Sequence, residues 1–167
     1  MTKKSNPPAD EKDAIRFLRA FILPGVALLS LAADQVTKHI VMTNLEMGRP
    51  WNPITPLKRF VSITYVTNTG AAFGLFADQS FLFVAIAIAV LAAIFVYRRY
   101  LTMRHWLIRL SLGLQLGGAL GNILDRLRYG YVVDFLDFKV WPIFNLADSS
   151  ICIGVAILAY YMLREKR

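Results

Sequence analysis

Little in this sequence offers the usual chemistry of a soluble enzyme. There is one cysteine, Cys152, so no disulfide can form within the chain. A thiol nucleophile wants a base beside it, and only two histidines, His39 and His105, exist to serve. The same scarcity leaves a metal site short of ligands, so no metal or other cofactor is expected. Cys152 is expected to do no more than pack within its helix. Acidic residues are few as well, 11 against 19 Lys and Arg, for a formal charge of +8. A basic balance often marks a nucleic-acid binder. Here the basic residues flank long apolar runs, which excludes nucleic acid as the partner and favours orientation in a membrane. Internal repeats are absent, and no low-complexity stretch exceeds the polar tail Met1 to Asp13.

Apolar sequence is abundant. The 167 residues suffice for one domain, and 56% of them are hydrophobic, too many for an ordinary soluble domain of this size. Four apolar runs stand out: Ala20 to Thr43, interrupted by Asp34, Lys38 and His39; Gln79 to Tyr97, without charge; Leu110 to Leu124; and Ser149 to Leu163. A span needs about 20 mostly apolar residues, so all but the second must carry an acid inside or near an end. The expected fold is a membrane all-α core of four transmembrane helices, with a small extracytoplasmic β-sheet and loop. It forms a single integral-membrane domain over 1–167, with 1–16 as a polar cytoplasmic tail. The first run is too long and too charged for a cleavable signal peptide and is expected to be retained.

Lys and Arg set the orientation. Lys3, Lys4, Lys12, Arg16 and Arg19 precede the first run, Arg98, Arg99, Arg104 and Arg109 follow the second, and Arg164, Lys166 and Arg167 close the chain. The intervening segments carry fewer. Both termini are therefore expected in the cytoplasm, with Asn44 to Asp78 and Leu127 to Ile143 facing outward.

The informative residues are acids. Asp34 lies 15 residues after Arg19, Asp125 lies 16 after Arg109, and Asp148 lies 16 before Arg164. On helices, each acid is then roughly 22 to 24 Å from the inner boundary, just inside the outer face. An acid within a span is costly, and three at one depth point to a polar cavity or to a structural network of ion pairs. Local partners separate their roles. Asp34 and Lys38 are an i, i+4 pair, and Asp125 adjoins Arg126 and follows Asn122; these acids should stay ionised and support the structure. Asp137 has Lys139 close by. Asp134 and Asp148 have apolar or neutral neighbours, and nothing local obliges both to be charged. Two such carboxylates can share one proton, the arrangement that aspartyl hydrolysis needs. They are 14 residues apart, across a short outer loop with Trp141 and Pro142 that permits their approach.

Gly113, Gly117 and Gly121, with Gly118 beside them, form a small-residue stripe that lets helices pack closely. Phe60 to Val66 reads as an outer strand, either a substrate edge or part of a small sheet on the membrane surface. Asn68 to Gly74, NTGAAFG, reads as a loop. Trp51, Phe60, Tyr65, Phe73 and Phe76 are candidates for the lipid interface.

Five motifs occur in order: DQVTK at Asp34 to Lys38, NTGAAF at Asn68 to Phe73, GGALGNILDR at Gly117 to Arg126, VVDF at Val132 to Phe135, and FNLADS at Phe144 to Ser149. Together they resemble the lipoprotein signal peptidase (signal peptidase II) family, from about Phe17 to Leu163. The resemblance implies an aspartyl peptidase of the bacterial inner membrane, without a cofactor. It would cleave prolipoproteins just before a diacylglyceryl-modified cysteine. It implies Asp134 and Asp148 as the catalytic pair. Asn68, Gly70, Asn122, Arg126 and Asn145 would shape the pocket or hold substrate, and Asp34 and Lys38 would support it. It further implies contact with membrane phospholipid and inhibition by globomycin-like cyclic peptides. A monomer is the simplest assembly, since one chain holds every part. The residues alone leave open a proton relay or transporter, which would favour acids near the midplane, and a noncatalytic helical scaffold.

Overall fold

The computed structural model describes residues 9–70, 79, 81–82, 84–85, 88–89, 92 and 105–165. Three helices among them are long and apolar enough to cross a membrane. Helix α1 runs Ala9–Asn44, helix α2 Trp106–Tyr129 and helix α3 Leu146–Glu165. Most of the run Gln79 to Tyr97, expected as a further span, lies outside the described residues; those described between 81 and 92 are helical. Part of the polar tail is helical. Its residues 9–16 continue α1, because Ala, Glu, Lys and Arg are good helix formers.

Helix α2 is the central element. More than half of its apolar window is buried, 56% against 11% for α1 and 17% for α3, and it packs against both. The glycine stripe explains how one helix serves two neighbours. A Cβ at Gly113 would lie 2.8 Å from Leu23 O, and one at Gly117 would collide with Ala27 O; these glycines receive α1. A Cβ at Gly118 would collide with Ala147 O, so that glycine receives α3. Without lipid-excluding force between apolar helices, such close backbone approach and van der Waals contact carry the association. Cys152, expected only to serve helix packing, is exposed on α3. Helix α2 ends at Gly130, whose φ of 80° closes the helix as only glycine does without strain.

The segments between the helices form a three-stranded antiparallel sheet in the order β1 (Pro50–Trp51), β2 (Ser62–Asn68), β3 (Val132–Asp137). The expected outer strand is present but begins at Ser62 and reaches Asn68. Its register with β3, Val66 opposite Asp134 and Asn68 opposite Val132, carries it past Val66. Val41 of α1 packs with Tyr65, Val133 and Phe135, which seats the sheet on the C-terminal end of α1. Trp51 and Phe60 are exposed as a lipid interface requires, whereas Tyr65 is buried in this core; Phe73 and Phe76 lie outside the described residues.

After β3 the chain turns back on itself. Phe144 pairs with Leu136, through Leu136 N–H to Phe144 O at 2.7 Å and Phe144 N–H to Leu136 O at 3.2 Å. This hairpin delivers Asn145 and the start of α3 to the side of β3.

Candidate active site

Asp134 sits on β3 and Asp148 in the first turn of α3, and both line one cavity of about 240 Å³. Asn68, Gly70, Asn122 and Arg126 form its polar wall with them, and Val132, Trp141, Pro142, Ile143 and Phe144 its apolar wall. The close approach allowed by the loop with Trp141 and Pro142 is thus realised by the Phe144 hairpin.

Asn145 ties the two carboxylates together. It occupies the N-cap position of α3, where its Oδ1 accepts the Asp148 N–H at 2.9 Å and its own N–H donates to Asp148 Oδ2 at 3.3 Å. That is a reciprocal capping box, with an acid at the position where its charge also suits the helix dipole. The Asn145 Nδ2 group donates to Asp134 Oδ1 at 2.7 Å and to Asn122 Oδ1 at 3.1 Å. Asn68 Nδ2 donates to Asp134 Oδ2 at 2.9 Å, and Asn122 Nδ2 to Asp148 Oδ1 at 2.7 Å. Both acids are therefore held by neutral amides.

Burial pushes the Asp134 carboxyl up, the Asn68 hydrogen bond opposes, and the neighbouring Asp148 charge pushes it up again. Asn145 and the Lys38 charge pull it down, and the outcome is a value of about 7. A carboxyl poised there holds a proton near neutrality and can also give it away.

The other acids are arranged differently. Asp34, Lys38 and Asp125 are all at most 1% exposed. Lys38 Nζ lies 2.9 Å from Asp34 Oδ2 and 2.8 Å from Asp125 Oδ2. The i, i+4 pair is as expected, and Asp125 gains a salt bridge from Lys38 of α1 in addition to the nearby Arg126. Arg126 turns to the cavity and donates to Gly70 O at 3.3 Å. Gly70 N–H in turn donates to Asn68 Oδ1 at 3.0 Å, which shapes the loop beside Asp134. Gln35, absent from the sequence reading, donates to Asp125 Oδ1 at 2.9 Å. Gln35 adjoins Asp34, but its partner lies 90 residues away, so only the fold reveals the contact.

Asp137 is separate from both groups. It accepts from Ser62 and Thr64, each at 3.1 Å, and pairs with Lys139. Burial pushes its carboxyl up, but the Lys139 hydrogen bonds and the two hydroxyls outweigh that and hold it below the usual range. It is an ionised fastener for the turn at Lys139, whose φ is 62°. Among the described residues no cluster of His, Cys, Asp and Glu could hold a metal ion.

Residues 26–164 match the family model for signal peptidase (SPase) II. The chain belongs to the signal peptidase II family. Among its relatives, the lipoprotein signal peptidase of Moorella thermoacetica is 49% identical over 138 residues, which cover 83% of this chain and 90% of that one. That of Bacillus subtilis is 43% identical over 144 residues, covering 84% and 92%. A bacterial membrane enzyme solved by the in meso method superposes with a TM-score of 0.74 at 33% identity, covering 84% of this chain and 87% of that one. As a signal peptidase II relative with helices that can cross a membrane, this chain is a membrane peptidase. The relay and scaffold readings therefore fall away.

Proposed function

We propose that this chain is an aspartyl endopeptidase that removes signal peptides from diacylglyceryl-modified prolipoproteins, cutting before the lipidated cysteine. The observation that carries this reading is one cavity bearing two carboxylates from different elements, joined through Asn145, one of them with its pKa raised to about 7. The names of the relatives supply the substrate class.

In this mechanism Asp148 is ionised and Asp134 carries the proton. Asp148 takes a proton from a water molecule as its oxygen attacks the scissile carbonyl carbon. Asp134 gives its proton to the carbonyl oxygen, and a tetrahedral diol forms. Collapse breaks the C–N bond. The proton held by Asp148 passes to the leaving amine, and Asp134 recovers its proton from the diol. Asn68 and Asn145 hold Asp134, and Asn122 holds Asp148, so the reacting groups are oriented before substrate arrives. Arg126 and Gly70, on the cavity wall, hold the peptide.

The Lys and Arg distribution supports a topology with both termini in the cytoplasm and the cavity near the outer face of a bacterial cytoplasmic membrane. A lipidated substrate would meet the site there, with its acyl chains still in the bilayer and membrane phospholipid around it. Four spans, counting Gln79 to Tyr97, and a monomer complete the proposal, and globomycin-like cyclic peptides would compete for the cavity. The test is purified protein in detergent with a diacylglyceryl-modified prolipoprotein. Cleavage that leaves the modified cysteine at the new N-terminus is the expected result. A folded protein that leaves this substrate intact, alongside an active relative as control, would falsify the assignment.

A further inference from the structure

Each of the two cavity carboxylates is preceded by a residue whose backbone N–H leaves its own element for a buried acid. The Ala147 N–H, one residue before Asp148, donates to Asp34 Oδ1 at 3.0 Å. The Val133 N–H, one residue before Asp134, donates to Asp125 Oδ2 at 3.2 Å. The first belongs to the opening turn of α3, where N–H groups have no partner within the helix. The second fixes β3 to the C-terminal end of α2.

The two receiving acids come from different helices, α1 and α2, and one ammonium holds both. An ammonium has three donors, and the third from Lys38 goes to Asn122 Oδ1 at 3.0 Å. With Oδ1 accepting from Lys38 and from Asn145, the Asn122 amide has its NH₂ group left to face Asp148, at 2.7 Å. Lys38 thus hydrogen-bonds to neither cavity carboxylate, yet Asn122 leads from it to Asp148, and Asp34 and Asp125 lead to the residues just before Asp148 and Asp134. A pair made only to keep helices together has no need of this convergence. Without the cation, Asp34 and Asp125 are like charges in a buried site and must separate or take up a proton.

We propose that Lys38 is a positioning residue for the dyad: by clamping Asp34 against Asp125 and orienting Asn122, it sets where β3 and the first turn of α3 place Asp134 and Asp148. This rests on the dyad reading above. It makes the first-helix pair part of the geometry of catalysis as well as of stability. Misplacing reacting groups by about 1 Å costs on the order of 10²-fold in rate.

The test uses the full chain with Lys38→Met, and with the double variant Lys38→Met/Asp125→Asn. The double variant keeps the net charge of the cluster and removes the like-charge repulsion, so the protein keeps its fold while the clamp is still missing. Steady-state cleavage of the modified prolipoprotein is measured well below the melting temperature of each variant. Amide hydrogen exchange is followed at Val133 and Ala147, with Ile108 in the far half of α2 as reference. The expected result is a fall in kcat on the order of 10²-fold with KM within about threefold of wild type. Exchange at Val133 and Ala147 should accelerate about tenfold or more while Ile108 is unchanged. A folded variant with kcat within about threefold of wild type, or a loss confined to KM, overturns the proposal. So does unaltered exchange at both amides. If wild type itself does not cleave, the dyad reading fails, and the exchange measurement alone still decides whether Lys38 holds the two segments.

Discussion

Two groups of acids lie within a few residues of each other, and they differ in what surrounds them. Asp34 and Asp125 share a buried lysine and accept backbone N–H groups, and neither lines the cavity. Asp134 and Asp148 are held by the amides of Asn68, Asn122 and Asn145, and they face open space. Asp134 is buried like Asp34 and Asp125, so burial alone does not make the site. A neutral hydrogen-bonding shell leaves room for a proton to move, whereas a cation fixes the charge.

The comparison is broken most severely at the cavity. Asp134→Asn or Asp148→Asn should each lower turnover by on the order of 10³-fold or more, because acid and base work as a unit. Thermal melts should stay close to wild type. Near-normal turnover in either folded variant would show that the two groups of acids are not distinct.

Asp34→Asn should act the other way. Breaking a buried pair by removing one charge costs about 3 to 5 kcal/mol, so melting should drop sharply. The asparagine keeps an oxygen for the Ala147 N–H, so turnover per folded molecule should fall by less than in the cavity variants. Unchanged melting with lost turnover would give Asp34 a direct chemical role.

Gly117→Ala tests the frame beneath both groups. Its Cβ would meet the backbone of Ala27 and the side chain of Ser30, and overpacking of this kind costs about 1 to 3 kcal/mol. The loss should appear in the melt and spread evenly over stability and activity. At the small end, Asp137→Asn should leave turnover nearly unchanged, since Asp137 fastens a turn and does not line the cavity. Comparison of kcat with wild type checks this.

Much of this division was legible in the chain before its fold. The spacing of Asp34 and Lys38 announced their pair, and the apolar or neutral neighbours of Asp134 and Asp148 set them apart from the acids with a cation nearby. The glycine stripe announced close packing, though not that it serves two helices, because Gly117 and Gly118 are adjacent and point to opposite neighbours. The salt-bridge partner of Asp125 was not legible beside the adjoining Arg126, because Lys38 arrives from another helix. Strand β3 went unassigned, although YVVDFLDF is rich in β-branched and aromatic residues; its short length between helices hid it. The Asn145 to Asp148 capping box was readable as an N-x-x-D pattern ahead of an apolar run, and it was the missed local signal nearest to the chemistry. What no local pattern reveals is the pairing of Phe144 with Leu136, the contact that brings the two carboxylates to one cavity.

The central claim is that the Asp134–Asp148 pair works with one shared proton. The measurement that tests it most directly is kcat/KM against pH for the wild-type enzyme, from about pH 5 to pH 9. The Asp134 carboxyl is raised from its unfolded value of 3.8 to about 7, so the native state keeps a proton there that the unfolded state has lost. Two consequences have the same sign. The stability that this proton contributes is complete below the unfolded value and is lost as pH rises through about 7. The acid that protonates the scissile carbonyl disappears over the same limb, so kcat/KM should fall as pH rises through about 7. A rate that stays level or climbs across that range, in protein that remains folded, would contradict the shared-proton mechanism.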